Sequence, residues 1–182
     1  MKRKTNNSNT TVMVHDPSIT AWGWAIIDSQ SNVVDIGCIK TEPNHKKNRI
    51  RKGDDSVRRL TEIANIIHEK IEQHNVCCMV SELPHGSQSA SAAIMIGAVT
   101  GLLTGIAVVT GVPIEWFSEA DSKKMLLRKN SATKQETINA VSKLFSIKWT
   151  GVKYKDEAIA DALSVFNVAL KQSSIIQYFL KK

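Results

Sequence analysis

The order of its elements constrains this chain most. Three short strand-like runs come first, and helices alternating with strands follow. Residues 11–15, 21–28 and 33–40 read as strands, with Asp28-Ser29-Gln30-Ser31-Asn32 as turn chemistry between the last two. Residues 56–75 read as an amphipathic helix, with Val57, Leu60, Ile63, Ala64, Ile67 and Ile71 on one stripe. A strand over 76–82, a long apolar helix, a strand over 113–117 and helices over 118–127, 133–145 and 157–171 complete the pattern. Such an order predicts an α/β fold, a five-stranded mixed sheet flanked by helices. Its 182 residues suit one core. Residues 11–182 are expected to form that one domain, behind a disordered basic and polar tail at 1–10.

A net charge of +7 fits an anionic partner, and equally a merely basic surface. The basic segments are Lys46, Lys47, Arg49, Arg51 and Lys52, then Arg58-Arg59, Lys123-Lys124, Arg128-Lys129, Lys148 and Lys153-Tyr154-Lys155. Cys38, Cys77 and Cys78 form no CxxC pair, which argues against structural zinc. Cys77 and Cys78 are adjacent within a strand, so their side chains are expected on opposite faces as reduced thiols of an intracellular protein. No signal peptide is read, and a cytoplasmic, nucleoid-associated location is expected. Residues 83–114 hold no Asp, Glu, Lys or Arg, and 94–112 are long enough to span a bilayer. Gly97, Gly101 and Gly105 repeat at four-residue spacing there. The polar start Ser87-Gln88-Ser89 and the stop Thr110-Gly111-Val112-Pro113 favour instead a helix buried on most sides by the sheet and a partner subunit, with no membrane.

Three acids stand at the edges of different elements. Asp16 ends the first strand, Glu82 ends the fourth, and Asp161 lies in the last helix read from the sequence. Carboxylates at the ends of buried strands are costly unless a positive charge compensates them. A divalent cation does so, and Mg²⁺ takes oxygen ligands. Convergence of the three would make a metal-dependent phosphoryl-transfer site. Plain readings remain beside this one: Asp16 as a turn residue before Pro17, and Glu82 as a surface residue. Ser87 and Gln88 either hold a phosphate at a helix start or only cap it. His85 either touches DNA or activates water, or is an ordinary loop residue.

The words around these acids resemble a known family. Asp16-Pro17-Ser18-Ile19-Thr20-Ala21-Trp22-Gly23 looks like the first hairpin of RuvC-like Holliday junction resolvases. Ser81-Glu82-Leu83-Pro84-His85-Gly86 resembles the second motif of phage-type members, Ser131-Ala132-Thr133-Lys134-Gln135-Glu136 the start of the penultimate helix, and Ala160-Asp161-Ala162-Leu163 the terminal motif. The resemblance implies a ribonuclease H-like fold and a homodimeric endonuclease that resolves four-way DNA junctions with two Mg²⁺ ions, Mn²⁺ substituting. Asp16, Glu82 and Asp161 would be catalytic, metal-binding carboxylates. The family pattern places an acid or His three residues before the last Asp, where this chain has Ala158. Glu157 is expected as the fourth ligand, with Asp156 as the alternative or as a helix cap. Lys46, Lys47, Arg49, Arg51, Lys52, His85, Ser87, Gln88, Lys123 and Lys124 would contact DNA. A flap- or fork-cutting nuclease and a catalytically impaired junction binder are the other readings. Leu83-Pro84-His85 stands where members often carry a wedging aromatic. Trp22, Trp24 and Trp149 are expected in packing.

Overall fold

The computed structural model describes residues 10–44, 50–129 and 132–180. The expected disordered tail, Thr10 apart, and Lys46, Lys47 and Arg49 lie outside the described residues. Strands β1 (Thr11–Asp16), β2 (Ala21–Asp28), β3 (Val33–Lys40), β4 (Val76–Leu83) and β5 (Ile114–Ser118) form a single sheet in the order β3-β2-β1-β4-β5. β1 runs antiparallel to β2 and parallel to β4; β3 is antiparallel to β2 and β5 parallel to β4. The described helices are α1 (Lys52–Gln73), α2 (Ala90–Thr110), α3 (Glu119–Leu127), α4 (Lys134–Leu144), α5 (Lys153–Gln172) and α6 (Ser174–Leu180). This is the expected five-stranded mixed sheet flanked by helices.

Strand alternation divides the core in two. Val12, Val14, Ala25, Ile27 and Val80 face Val141, Ile159, Leu163 and Phe166 of α4 and α5. Met13, Trp22, Trp24, Ile26 and Met79 face Ile63, Ile67 and Ile71 of α1 and Val99 and Leu103 of α2. Trp22 and Trp24 are therefore core residues, as expected. Trp149 packs against the first cluster, and its indole N–H donates to Ser142 at 3.1 Å.

One expectation fails here. Cys77 and Cys78 do not face apart. β1 and β4 slip register between Thr11, opposite Val76, and Val12, opposite Cys78. Cys77 is the extra residue of that β-bulge, and both cysteines join the same cluster. Within its own chain, α2 is buried along one stripe only. Ser89 caps it by accepting from the Ala92 N–H, and Gly111 ends it in the left-handed region at φ 67°, as its sequence signals predict. Val99, Leu103 and Ala107 form that stripe, in the second cluster with α1 and the strands. Among the described residues α2 is the one helix long and apolar enough to cross a membrane, and 22% of its apolar window is buried.

Candidate active site

β1 and β4 are parallel neighbours, and His15 lies opposite Ser81. Asp16 and Glu82 each follow directly on that pair, so they end adjacent strands on one edge. Gly23 brings in the third acid. It lies opposite Asp16 on β2, and a Cβ there would stand 2.0 Å from the carbonyl oxygen of Ala158. Its missing side chain lets α5 settle onto the sheet beside Asp16. One helical turn further on, the Asp161 carboxylate meets the same edge.

Each acid is disfavoured as an anion there. Burial, then the Asp161 charge, pushes Asp16 up to about 7. Burial, then the charges of Asp16 and Asp161, pushes Glu82 up to about 8. Burial also raises Asp161, against the opposing pull of Lys134. Lys134 is the first residue of α4. That helix starts with a capping box, in which Thr133 accepts from the Glu136 N–H and Glu136 accepts from the Thr133 N–H at 2.9 Å. The Lys134 ammonium bonds the Asp161 carboxylate directly, and its charge also acts on Asp16 and Glu82.

Glu157 is half-buried on α5 and is not among the charges that act on the three acids. Asp156 is a local cap. Its carboxylate accepts from the Thr150 N–H at 2.9 Å, the Thr150 hydroxyl at 2.6 Å and the Gly151 N–H at 3.1 Å. The fourth carboxylate acting on all three acids is Glu119. β5 pairs Ser118 with Leu83, which sets Glu119 just past the strand end beside Glu82. Glu119 contacts the Lys123 ammonium and lies 2.9 Å from Nε2 of His85. The Lys123 bond holds Glu119 below the usual carboxylate range. Sequence reading missed Glu119 because its relevance comes only from strand register. Lys134 stands in the Ser131–Glu136 motif, where the sequence alone assigns it no role. As they stand, no three His, Cys, Asp or Glu among the described residues are grouped to hold an ion.

The other described residues expected to contact DNA have local partners or are exposed. His85, Ser87, Gln88 and Lys124 are exposed. Ser87 accepts from the Ser89 N–H at 3.1 Å, a turn-forming bond. Arg51 pairs with Asp54 at 2.7 Å, and Lys52 reaches Ser91 at 3.0 Å. Behind the edge, fully buried His15 accepts from the Trp22 indole N–H at 3.2 Å, and burial lowers its pKa to about 3. It is a neutral core residue supporting the strand that ends in Asp16.

The mixed five-stranded sheet flanked by helices is a ribonuclease H-like fold. The chain belongs to the crossover junction endodeoxyribonuclease RuvC family, whose model matches residues 12–169. RuvC of Synechocystis sp. is 27% identical over 156 residues, covering 84% of this chain and 88% of its own. Two solved structures share the fold. T. thermophilus RuvC in complex with a Holliday junction substrate has a TM-score of 0.72 at 18% identity, covering 91% of this chain and 95% of that one. The yeast mitochondrial Holliday junction resolvase Ydc2 has a TM-score of 0.62 at 14% identity, covering 98% and 85%.

Proposed function

We propose that this chain is a Mg²⁺-dependent endonuclease that resolves four-way DNA junctions inside the cell as a homodimer, one site per protomer. The observation that carries the chemistry is the convergence of Asp16, Glu82 and Asp161, each raised by burial and by its neighbours' charge. Such a set offers hard oxygen donors to a cation and relieves its own repulsion by accepting one. Mg²⁺ bound there would supply Lewis-acid activation of a backbone phosphate and of the attacking water. The protein's own part is positional. Asp16 and Glu82 are fixed by strand ends and Asp161 by the α5–Gly23 contact. Lys134 neutralises Asp161 in the free protein, and with a cation held at Asp161 its charge would be available to the phosphate. Lys123 and Lys124 on α3 and Arg51 and Lys52 at the start of α1 would hold flanking phosphates.

The deciding experiment incubates labelled four-way junction, duplex and flap with Mg²⁺ or EDTA. Paired nicks confined to the junction and abolished by EDTA are expected. Equal cutting of plain duplex, or cutting in EDTA, would overturn the reading. The missing acid at Ala158 leaves a fourth carboxylate to assign. Glu119 is favoured over Glu157 by its action on all three acids. In Mg²⁺ titration calorimetry Glu119→Gln should weaken binding several-fold, and Glu157→Gln should leave it near wild type. The reverse pattern would return the role to Glu157.

A further inference from the structure

Away from the catalytic edge, the start of β4 carries two neighbouring thiols on one face. In a regular strand adjacent side chains point apart. The bulge at Cys77 cancels that alternation. Cys77 Sγ donates to Cys78 Sγ at 3.9 Å, and neither residue is in a disulfide. Cys78 is 2% exposed, while Cys77 in front of it is only half-buried.

Two routes could join these sulfurs, and geometry separates them. A direct disulfide needs S–S of about 2.05 Å, with Cα atoms usually about 4.4–6.8 Å apart. Neighbouring residues across a trans peptide hold their Cα atoms at about 3.8 Å. Cys78 is also held by its pairing with Val12, so the strand resists the required distortion. A single bridging atom with two bent bonds to sulfur asks for no such movement. We propose that Cys77 and Cys78 form a chelating dithiol site that captures trivalent arsenic compounds. With phenylarsine oxide, the Cys77 sulfur bonds arsenic first. Cys78 closes the ring, an intramolecular step favoured by proximity. Two S–H bonds and the arsenic–oxygen linkage break, and two As–S bonds form. The oxygen leaves as water with both thiol protons, and no oxidation state changes.

The test is intact-mass spectrometry of the folded full chain with one equivalent of phenylarsine oxide. Wild type and Cys38→Ser should each retain one phenylarsenic group through dilution. A dithiol should strip it, and a tenfold excess of a monothiol should not. Cys77→Ser changes a half-buried residue to a near-isostere, and circular dichroism checks that it is folded. It should lose the adduct. Cys78→Ser should lose it as well. An adduct that survives Cys77→Ser, one removed by monothiol, or none on the folded wild type would overturn the proposal.

Discussion

At the residue scale, the raised carboxyls turn the site into a source of pH-dependent instability. The fold binds protons at Asp16 and Glu82 more tightly than the unfolded chain does. Their contribution is therefore fully present below the ordinary carboxylate range and is lost as pH rises through about 7 for Asp16 and about 8 for Glu82. Buried His15 acts in the opposite sense. Its fold-state pKa of about 3 gives stability that is present above its ordinary value of 6.5 and lost as pH falls. In EDTA, the thermal midpoint should pass through a maximum on the acid side of neutrality and fall from pH 6 to 9, and Mg²⁺ should restore the alkaline limb. Asp16→Asn should abolish cleavage, leave junction binding largely intact and flatten that limb in EDTA. An EDTA profile for this variant as steep as the wild type's would remove Asp16 from the charge cluster. Gly23→Ala makes a separate prediction. Its Cβ would strike the Ala158 carbonyl, so α5 must lift away from Asp16. Overpacking of this kind costs about 1–3 kcal/mol, and Mg²⁺ affinity should fall along with stability. Calorimetry showing unchanged metal binding would detach Gly23 from the site. The three acids were legible in sequence because each ends an apolar run or sits in a motif that resembles the family's. Glu119 was not, because nothing in Ser118-Glu119-Ala120 says which strand end it will stand beside.

At the element scale, long periodic segments were readable and their ends less so. α1 starts at Lys52 and not at residue 56, its first turn carrying Asp54 and Asp55, which favour a helix N-terminus. α5 starts at Lys153 and not at 157, because Asp156 folds the preceding Thr150-Gly151 turn against it. α6 was missed: it is one short helix opened by Ser173, whose hydroxyl accepts from the Ile176 N–H at 2.9 Å. The Cys77 bulge was missed because it is written in the register with β1 and leaves no mark on β4 alone. The α2 termini were read correctly, and within the chain its burial is confined to the stripe of Val99, Leu103 and Ala107. Gly97, Gly101 and Gly105 have open space where their Cβ atoms would be, and Ile94, Val108 and Val109 are exposed. A glycine inside a helix costs roughly 1 kcal/mol relative to alanine, so three on an open face fit a close approach from outside the chain. The proposed homodimer places a second copy there. Because a Cβ at Gly101 would meet nothing within 4 Å beyond its own helix, Gly101→Leu should give a folded monomer that binds junctions poorly and loses paired incisions. Ultracentrifugation reads the outcome. A wild type monomeric at micromolar concentration would defeat the dimer, and one soluble only in detergent would make α2 a membrane helix.

At the scale of the whole molecule, sheet order and charge act together. The strand order β3-β2-β1-β4-β5 puts the two acid-bearing strands side by side at the centre. The connections leaving the catalytic edge carry much of the basic charge. The segment from β3 to α1 holds Lys46, Lys47, Arg49, Arg51 and Lys52, and α3, directly after β5, holds Lys123 and Lys124. Not all of that charge is free to meet DNA. Glu119 takes Lys123, and Asp54 takes Arg51. Exposed pairs like the latter contribute little to stability, so a phosphate can displace them at small cost. Junction affinity should therefore fall steeply with salt, each phosphate contact adding about 0.9 to the log–log slope on duplex arms. Replacing Lys46, Lys47, Arg49, Arg51 and Lys52 by Gln should lower the slope by about one contact for each residue that meets a phosphate. Arg51, which must first release Asp54, should give the smaller single-residue effect beside Lys52. Fluorescence anisotropy from low to moderate salt measures both. A slope unchanged by the five replacements would make this loop solvated surface and move the DNA path to α3 and the residues after Glu82.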